Sequence, residues 1–296
     1  MCLVLVTQAG PDPGSRILET RLKPLIEAHR GQVGLMVKHL ESGACYSHRA
    51  EVPMPTASLI KFPVMIEVYR QEAEGSLDLD QPITLEQEDK VPGSGILTDH
   101  LSPGVTFPLR DAVRLMIAFS DNTATNLVLE AIGIKSTAEA MEKLGCPETK
   151  IHSKVYRRET TVFPDRSERF GLGSTTAAEM IRLFELLHRD ELVSPAASKA
   201  MRDHLLKCSD HDTFPRFLPE GTKIAFKTGA VEKSRTAAGI LETPSGPVAI
   251  CVLTTANEDT RFVPDNAAER LCAEIAYAVY HAFPPKPETP GATNRP

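Results

Sequence analysis

Segments with strand character stand at the two ends of this chain, and a long block of helical periodicity separates them. Strands so distant in sequence must meet in one sheet or stay as isolated hairpins, and only the first option buries their apolar faces. From Ser15 to about Arg30, apolar residues recur at Ile17, Leu18, Leu22, Leu25 and Ile26, the spacing of one helical face, and Gly31 stops the helix. Val33 to His39 then predicts a strand, Glu41-Ser42-Gly43 its turn and Ala44 to His48 the returning strand. Near the other end, Lys223 to Lys227, Thr236 to Leu241 and Val248 to Thr254 are β-rich, with Pro244-Ser245-Gly246 turning the last pair. Asn266 to Phe283 closes the pattern with Leu271, Ile275 and Val279 on one helical face.

Between these ends, Leu59 to Gln71, Leu109 to Phe119, Thr123 to Ile132, Thr137 to Leu144, Ala177 to Arg189 and Pro195 to Leu206 predict helices. Ser136 with Glu139 and Thr176 with Glu179 match the capping box, Ser194-Pro195 sets an N-cap before a first-turn proline, and Gly145 is a stop. The expected fold is therefore mixed α+β. It has an antiparallel five-stranded sheet flanked by the two terminal helices (14–55 with 207–283) and an all-helical lobe (56–206), with a cleft between the lobes. The tails 1–13 and 284–296 are expected to be disordered.

A chain of 296 residues buries its core without staples, and a net charge of −6 favours neither nucleic acid nor an anionic membrane as partner. No apolar stretch is long enough for a transmembrane helix. The short apolar segment after Met1 reads equally as the remnant of a trimmed secretion signal or as a tail. The six cysteines lie far apart with no CxxC pair, which excludes a disulfide scaffold and leaves one bridge open. His204, Cys208 and His211 have a loosely metal-like spacing, but further ligands are missing, so two surface histidines and a buried thiol are the expected reading. No metal or organic cofactor is expected.

Three short motifs carry chemistry. Ser58 is the only serine of the chain with a lysine three residues on, and it opens an apolar helix whose Pro63 is tolerable only near the first turn. Three residues is nearly one turn, so Lys61 shares a side with Ser58, and a buried lysine loses its proton readily enough to accept one from a hydroxyl. Ser120-Asp121-Asn122 interrupts two helices. It reads as a polar capping turn or as a site in which Ser120 relays a proton to the leaving group and the Asn122 amide holds a substrate carbonyl. Lys227-Thr228-Gly229-Ala230 ends a strand. Lys227 and Thr228 offer a charge and a hydroxyl to a substrate carboxylate, Gly229 clears space along the strand edge, and the amides of Ala230 and Ser58 suit an oxyanion hole.

In this order the three motifs form the SxxK, SDN and KTG signature, and the chain resembles the class A β-lactamases and penicillin-binding proteins. Thr56 to Val64, Leu115 to Leu127, and Lys227 to Ala230 followed by Arg235 all look like class A sequence, and the likeness runs from about Ser15 to Phe283. The resemblance implies a serine β-lactamase/penicillin-binding type of fold and a hydrolase that opens a β-lactam amide through an acyl-enzyme on Ser58. Lys61 would be the acylation base or its partner, and Ser120 the proton relay. Asn122, Lys227, Thr228, Gly229, Ala230 and Arg235 would bind substrate.

Two features depart from the family's pattern. Class A enzymes carry an RxExxLN loop whose glutamate activates the deacylating water. An Ω-like loop is expected near 153–173, where Arg157, Arg158 and Glu159 fit but Val162 and Phe163 replace Leu and Asn, with Glu168 as a rival carboxylate. Glu159 is the expected deacylation base, slowed by the loss of the asparagine. Val91 to Leu97 offers small residues where the family often places a rim aromatic, which predicts a more open cleft. The alternatives are a penicillin-binding peptidase or esterase-like hydrolase with slow deacylation, and a non-catalytic β-lactam-binding protein. The resemblance further implies a periplasmic or secreted monomer acting on a small-molecule β-lactam or a related amide or ester.

Overall fold

A computed structural model describes residues 12–285. The segment 1–11, with Cys2 and the apolar stretch after it, and the proline-rich segment 286–296 lie outside the described residues. Pro13, expected in the tail, instead opens the first helix, capped by the Asp12 carboxylate on the amides of Gly14 and Ser15.

The strands from both ends of the chain do form one antiparallel sheet. These are β1 (Gln32–His39), β2 (Cys45–His48), β3 (Ile224–Val231), β4 (Ser234–Thr243) and β5 (Gly246–Thr255), in the order β2-β1-β5-β4-β3. The join is β1 against β5, with Gln32 opposite Thr255 and His39 opposite Val248. Alternate side chains point to opposite faces. Leu35, Val37, Phe226, Leu241, Val248, Ile250 and Val252 pack on the terminal helices α1 (Pro13–Ala28) and α8 (Ala267–Tyr280). Ala225, Ala238, Ile240, Ala249, Cys251 and Leu253 take the other face, against the helical block. Burial on both sides explains why these strands read as continuous apolar runs. β3 lies at the edge of the sheet, where a strand can face a ligand.

The helical block contains α2 (Lys61–Ala73), α3 (Leu109–Ala118), α4 (Asn122–Ile132), α5 (Ile134–Lys143), α6 (Ala177–His188) and α7 (Pro195–Leu205). Phe62 of α2 stacks on Phe184 of α6 with ring centroids 4.5 Å apart. Ser194 caps α7 by accepting from the Ala197 amide at 3.1 Å, and Thr176 caps α6 on the Glu179 amide at 3.1 Å. The Glu179 carboxylate does not close the expected box. It accepts from the Glu148 amide and the Thr149 hydroxyl. At α5 the helix starts earlier than predicted, because Gly133 at φ +80° supplies the turn and the Ser136 hydroxyl donates back to the carbonyls of Ile132 and Gly133. Gly145 ends α5 at φ +75°, as expected. Among the described residues no helix is long and apolar enough to cross a membrane.

Candidate active site

The serine sits at a junction rather than inside a helix. A 3-10 turn, Ala57–Ile60, carries Ser58 and leads directly into α2, so Pro63 falls in that helix's first turn, where its missing N–H costs nothing. Ala57 holds φ +46°, a left-handed conformation that costs a non-glycine residue about 1–3 kcal/mol. Strand β3 presses against this turn. A Cβ on Gly229 would lie 2.5 Å from the Thr56 carbonyl oxygen and 2.7 Å from the Ser58 nitrogen. Gly229 therefore makes room for the nucleophile's own backbone, not for a substrate lying along the strand edge as the sequence suggested.

Lys61 is the first residue of α2 and fully buried. Its Nζ donates to the Ser120 carbonyl (2.6 Å), the Ser120 hydroxyl (3.3 Å) and the Asn122 Oδ1 (2.8 Å). Burial, and then the charge of Lys227, push its pKa well below the ordinary lysine value, with Asp121 acting the other way. Lys227, also fully buried, donates to the Ser120 hydroxyl at 3.1 Å and to the Thr228 carbonyl at 2.8 Å. Both lysine side chains thus donate to one hydroxyl oxygen, which leaves the Ser120 proton free to be given elsewhere.

The SDN turn is both cap and machinery. Ser120 takes φ +52°, and Asp121 caps α4 through the Ala124 amide. The other Asp121 oxygen accepts from the amides of Ile96 and Leu97 at 2.7 and 2.9 Å, tying down the loop of small residues at 91–97. Gly95 is required there, since a Cβ would meet Asp121 at 2.3 Å, and one on Gly93 would meet the Asn122 Nδ2 at 2.8 Å. The rim is small because it packs this closely on the motif. Asn122 Nδ2 donates to the Pro92 carbonyl, and its second N–H is available to a substrate.

A cleft of about 770 Å³ opens on Ser58, Asn122 and Ala230. Its far wall is the loop Ser153, Lys154, Val155, Tyr156 and Arg158, with Ser167 and Gly171. Two aromatic residues that sequence reasoning missed stand on its rim, Tyr156 at 64% and Phe262 at 67% exposure. Asn126, one turn along α4 from Asn122, was also missed. Its side chain accepts from the Val155 amide at 2.7 Å and donates to the Val155 carbonyl at 3.0 Å, clamping that residue's backbone. Two asparagines four residues apart at a helix start were the available signal.

The structure does not bring every expected residue to this cleft. Glu159 lies exposed on the 3-10 turn Arg158–Thr160, outside the lining, because the clamp on Val155 and the bonds of Thr160 to Arg157 and Lys154 turn it to solvent. Glu168 is no nearer, lying on the short helix Pro164–Phe170 outside the lining. Arg235 is 1% exposed and turned inward. It donates to Glu269 (2.8 Å) and to the carbonyls of Val231, Ser234 and Arg261, with its guanidinium 4.5 Å above the Phe262 ring. It props the rim under Phe262 and lies outside the cleft lining. The Thr228 hydroxyl donates to Asp210 at 3.4 Å, and the Thr228 amide faces the Cys208 sulfur. By the two-residue alternation of a strand, the amide of exposed Ala230 faces the same outer edge. Among the described residues no cluster suits a metal ion, His204 is bonded to the Tyr69 hydroxyl at 2.7 Å, and the five described cysteines are free thiols.

Comparison with known proteins places this geometry. A profile of the β-lactamase enzyme family matches residues 17–283. A β-lactamase of Streptomyces cellulosae is 28% identical over 242 residues, covering 79% of this chain and 75% of its own. One from Streptomyces fradiae is 26% identical over 294 residues, 93% and 89% of the two chains. The crystal structure of a β-lactamase from Sphaerobacter thermophilus superposes with a TM-score of 0.79 at 28% identity, covering 90% of this chain and 99% of that one. The structure of PBP-A has the same fold, with a TM-score of 0.77 at 24% identity over 90% and 95% of the two chains.

Proposed function

Because the chain belongs to the β-lactamase enzyme family, we propose that it opens the amide bond of β-lactams through an acyl-enzyme on Ser58. The observation that carries this reading is the buried cluster in which Lys61 and Lys227 converge on the Ser120 hydroxyl beside the Ser58 turn. Lys61, held toward its neutral amine by burial, accepts the Ser58 proton as Oγ bonds to the lactam carbonyl carbon. The amides of Ser58 and Ala230 face the developing oxyanion. The C–N bond then breaks, and the leaving nitrogen takes the proton relayed through Ser120. Asn122 holds the substrate's side-chain carbonyl.

Release needs a water and a base to cleave the Ser58 ester. Glu232, exposed at the end of β3, is the one carboxylate among the described residues lining the cleft, and the loop opposite Ser58 presents Val155. This favours hydrolysis with slow deacylation, the behaviour of a penicillin-binding protein, over rapid turnover. The test is intact mass after mixing with a penicillin. The expected result is an adduct of the whole ring-opened penicillin, absent in Ser58→Ala, and an adduct that survives that substitution refutes the assignment. Site of action stays with the family, as a periplasmic or secreted monomer, and cell fractionation with sedimentation checks both.

A further inference from the structure

The three side chains expected to hold a substrate carboxylate spend most of their donors within the protein. Arg235 spends four N–H bonds on Glu269 and three carbonyls, deep under Phe262. Lys227 spends two of its three on Ser120 and Thr228. Thr228 directs its proton at Asp210 Oδ2. Asp210 is fixed in that position from its other oxygen, which accepts from the Thr213 hydroxyl at 2.6 Å and the Thr213 amide at 3.0 Å. With Cys208 facing the Thr228 amide, the segment 208–210 covers the edge of β3 just where Thr228 stands, and leaves Ala230 open two residues further on.

The charges agree with the donors. Asp210 favours the charged form of buried Lys227, and Arg235 is matched by Glu269. Among the described residues lining the cleft, the one charged group on the β3 side is Glu232, which is negative and exposed. An anion placed there meets one uncommitted N–H of buried Lys227 and one fixed carboxylate beside Thr228.

We propose that Asp210 is a specificity-determining residue that turns the cleft toward acyl donors, amides or esters, carrying no carboxylate on the β3 side. The inference rests on the Ser58 acyl-enzyme reading and deepens it. A substrate carboxylate would have to displace the Thr228–Asp210 bond and sit against the Asp210 charge, whereas a neutral ester or amide accepts the arrangement as it stands.

The experiment measures acylation of Ser58 by rapid-quench intact mass, using a penicillin and its methyl ester in parallel. In the wild type the ester is expected to acylate at least as fast as the free acid. In Asp210→Asn, which keeps the size and the acceptor for Thr213, the acid-to-ester rate ratio is expected to rise about ten-fold, the scale of one partly solvated charge pair. Wild type favouring the free acid ten-fold or more overturns the proposal, whether or not the variant folds. Adducts from both compounds with the same ratio in Asp210→Asn also overturn it while leaving the Ser58 reading intact. No adduct from either compound overturns both.

Discussion

The two walls of the cleft are built to different standards. On one wall Ser58, Lys61, Ser120 and Asn122 stand at junctions of regular elements and Lys227 inside β3, and hydrogen bonds tie the two buried lysines to Ser120 and Asn122. On the other, the 152–171 loop is held by its backbone. His152 reaches the Gly171 carbonyl at 2.8 Å and Asn126 clamps Val155, while Arg158 and Glu159 extend into solvent. On the proposed reading the first wall forms the ester on Ser58, and among the described residues the part of the second wall that lines the cleft carries no carboxylate. Preorganisation is spent on the step where proton transfer must be concerted with bond formation.

Both walls store backbone strain, which marks where the comparison can be tested. Ala57 and Ser120 on the first wall and Tyr156 on the second all hold positive φ. Such conformations persist only where the surroundings over-determine them.

The largest effect should follow loss of the base on the first wall. Lys61→Met is expected to slow acylation by about a thousand-fold, read as the rate of adduct formation with a penicillin. An effect under ten-fold would move the base elsewhere. Next, Val155→Glu places a carboxylate on the clamped residue of the cleft's far wall and should raise the deacylation rate about a hundred-fold, followed by adduct decay after excess penicillin is removed. In the same assay, Glu159→Gln should change deacylation by less than about two-fold, since its side chain points to solvent. A loss of a hundred-fold there would restore Glu159 as the base.

Acidity probes each wall with smaller effects. Burial holds Lys61 well below the ordinary lysine value of 10.5, and the neutral amine is the proposed active form, so acylation should rise with pH along a limb centred below that value. On the second wall, burial lowers His152 to about 4 from 6.5, as it does for His204 elsewhere in the fold. Between those values the unfolded chain binds more protons than the folded one. This stability is complete above pH 6.5 and is lost as pH falls toward 4. Urea midpoints should therefore fall between pH 7 and pH 4.5, and less steeply in a His152→Asn variant that stays folded.

The first wall was largely legible in the sequence and the second was not, for physical reasons. SxxK and SDN each sit at the boundary of a regular element, so periodicity and capping locate them together with their chemistry, whereas KTG lies inside β3, which runs on to Val231 past the strand end expected at Lys227. The partners that decide what those residues can do are remote in sequence. Glu269 lies on the last helix and takes Arg235, and Asp210 lies on a turn and takes Thr228. No local pattern announces either pairing. Glu159 looked right because Arg and Glu stand at a familiar spacing, but the position of a loop residue is set by its anchors. The anchor here, Asn126, is on another element. The five-stranded sheet was readable because strand character returned after the helical block, and the early start of α5 was not, because Ser136 resembled a cap and instead bonds backward.

The central claim is that ester formation is fully equipped and ester hydrolysis is not. A single time course tests it most directly, following intact mass from milliseconds to hours after mixing with stoichiometric penicillin, for the wild type and Glu159→Gln. The account predicts that both proteins convert almost wholly to a Ser58 adduct that decays slowly and at similar rates. Rapid wild-type turnover with no accumulating adduct, replaced in Glu159→Gln by a persistent one, would contradict it.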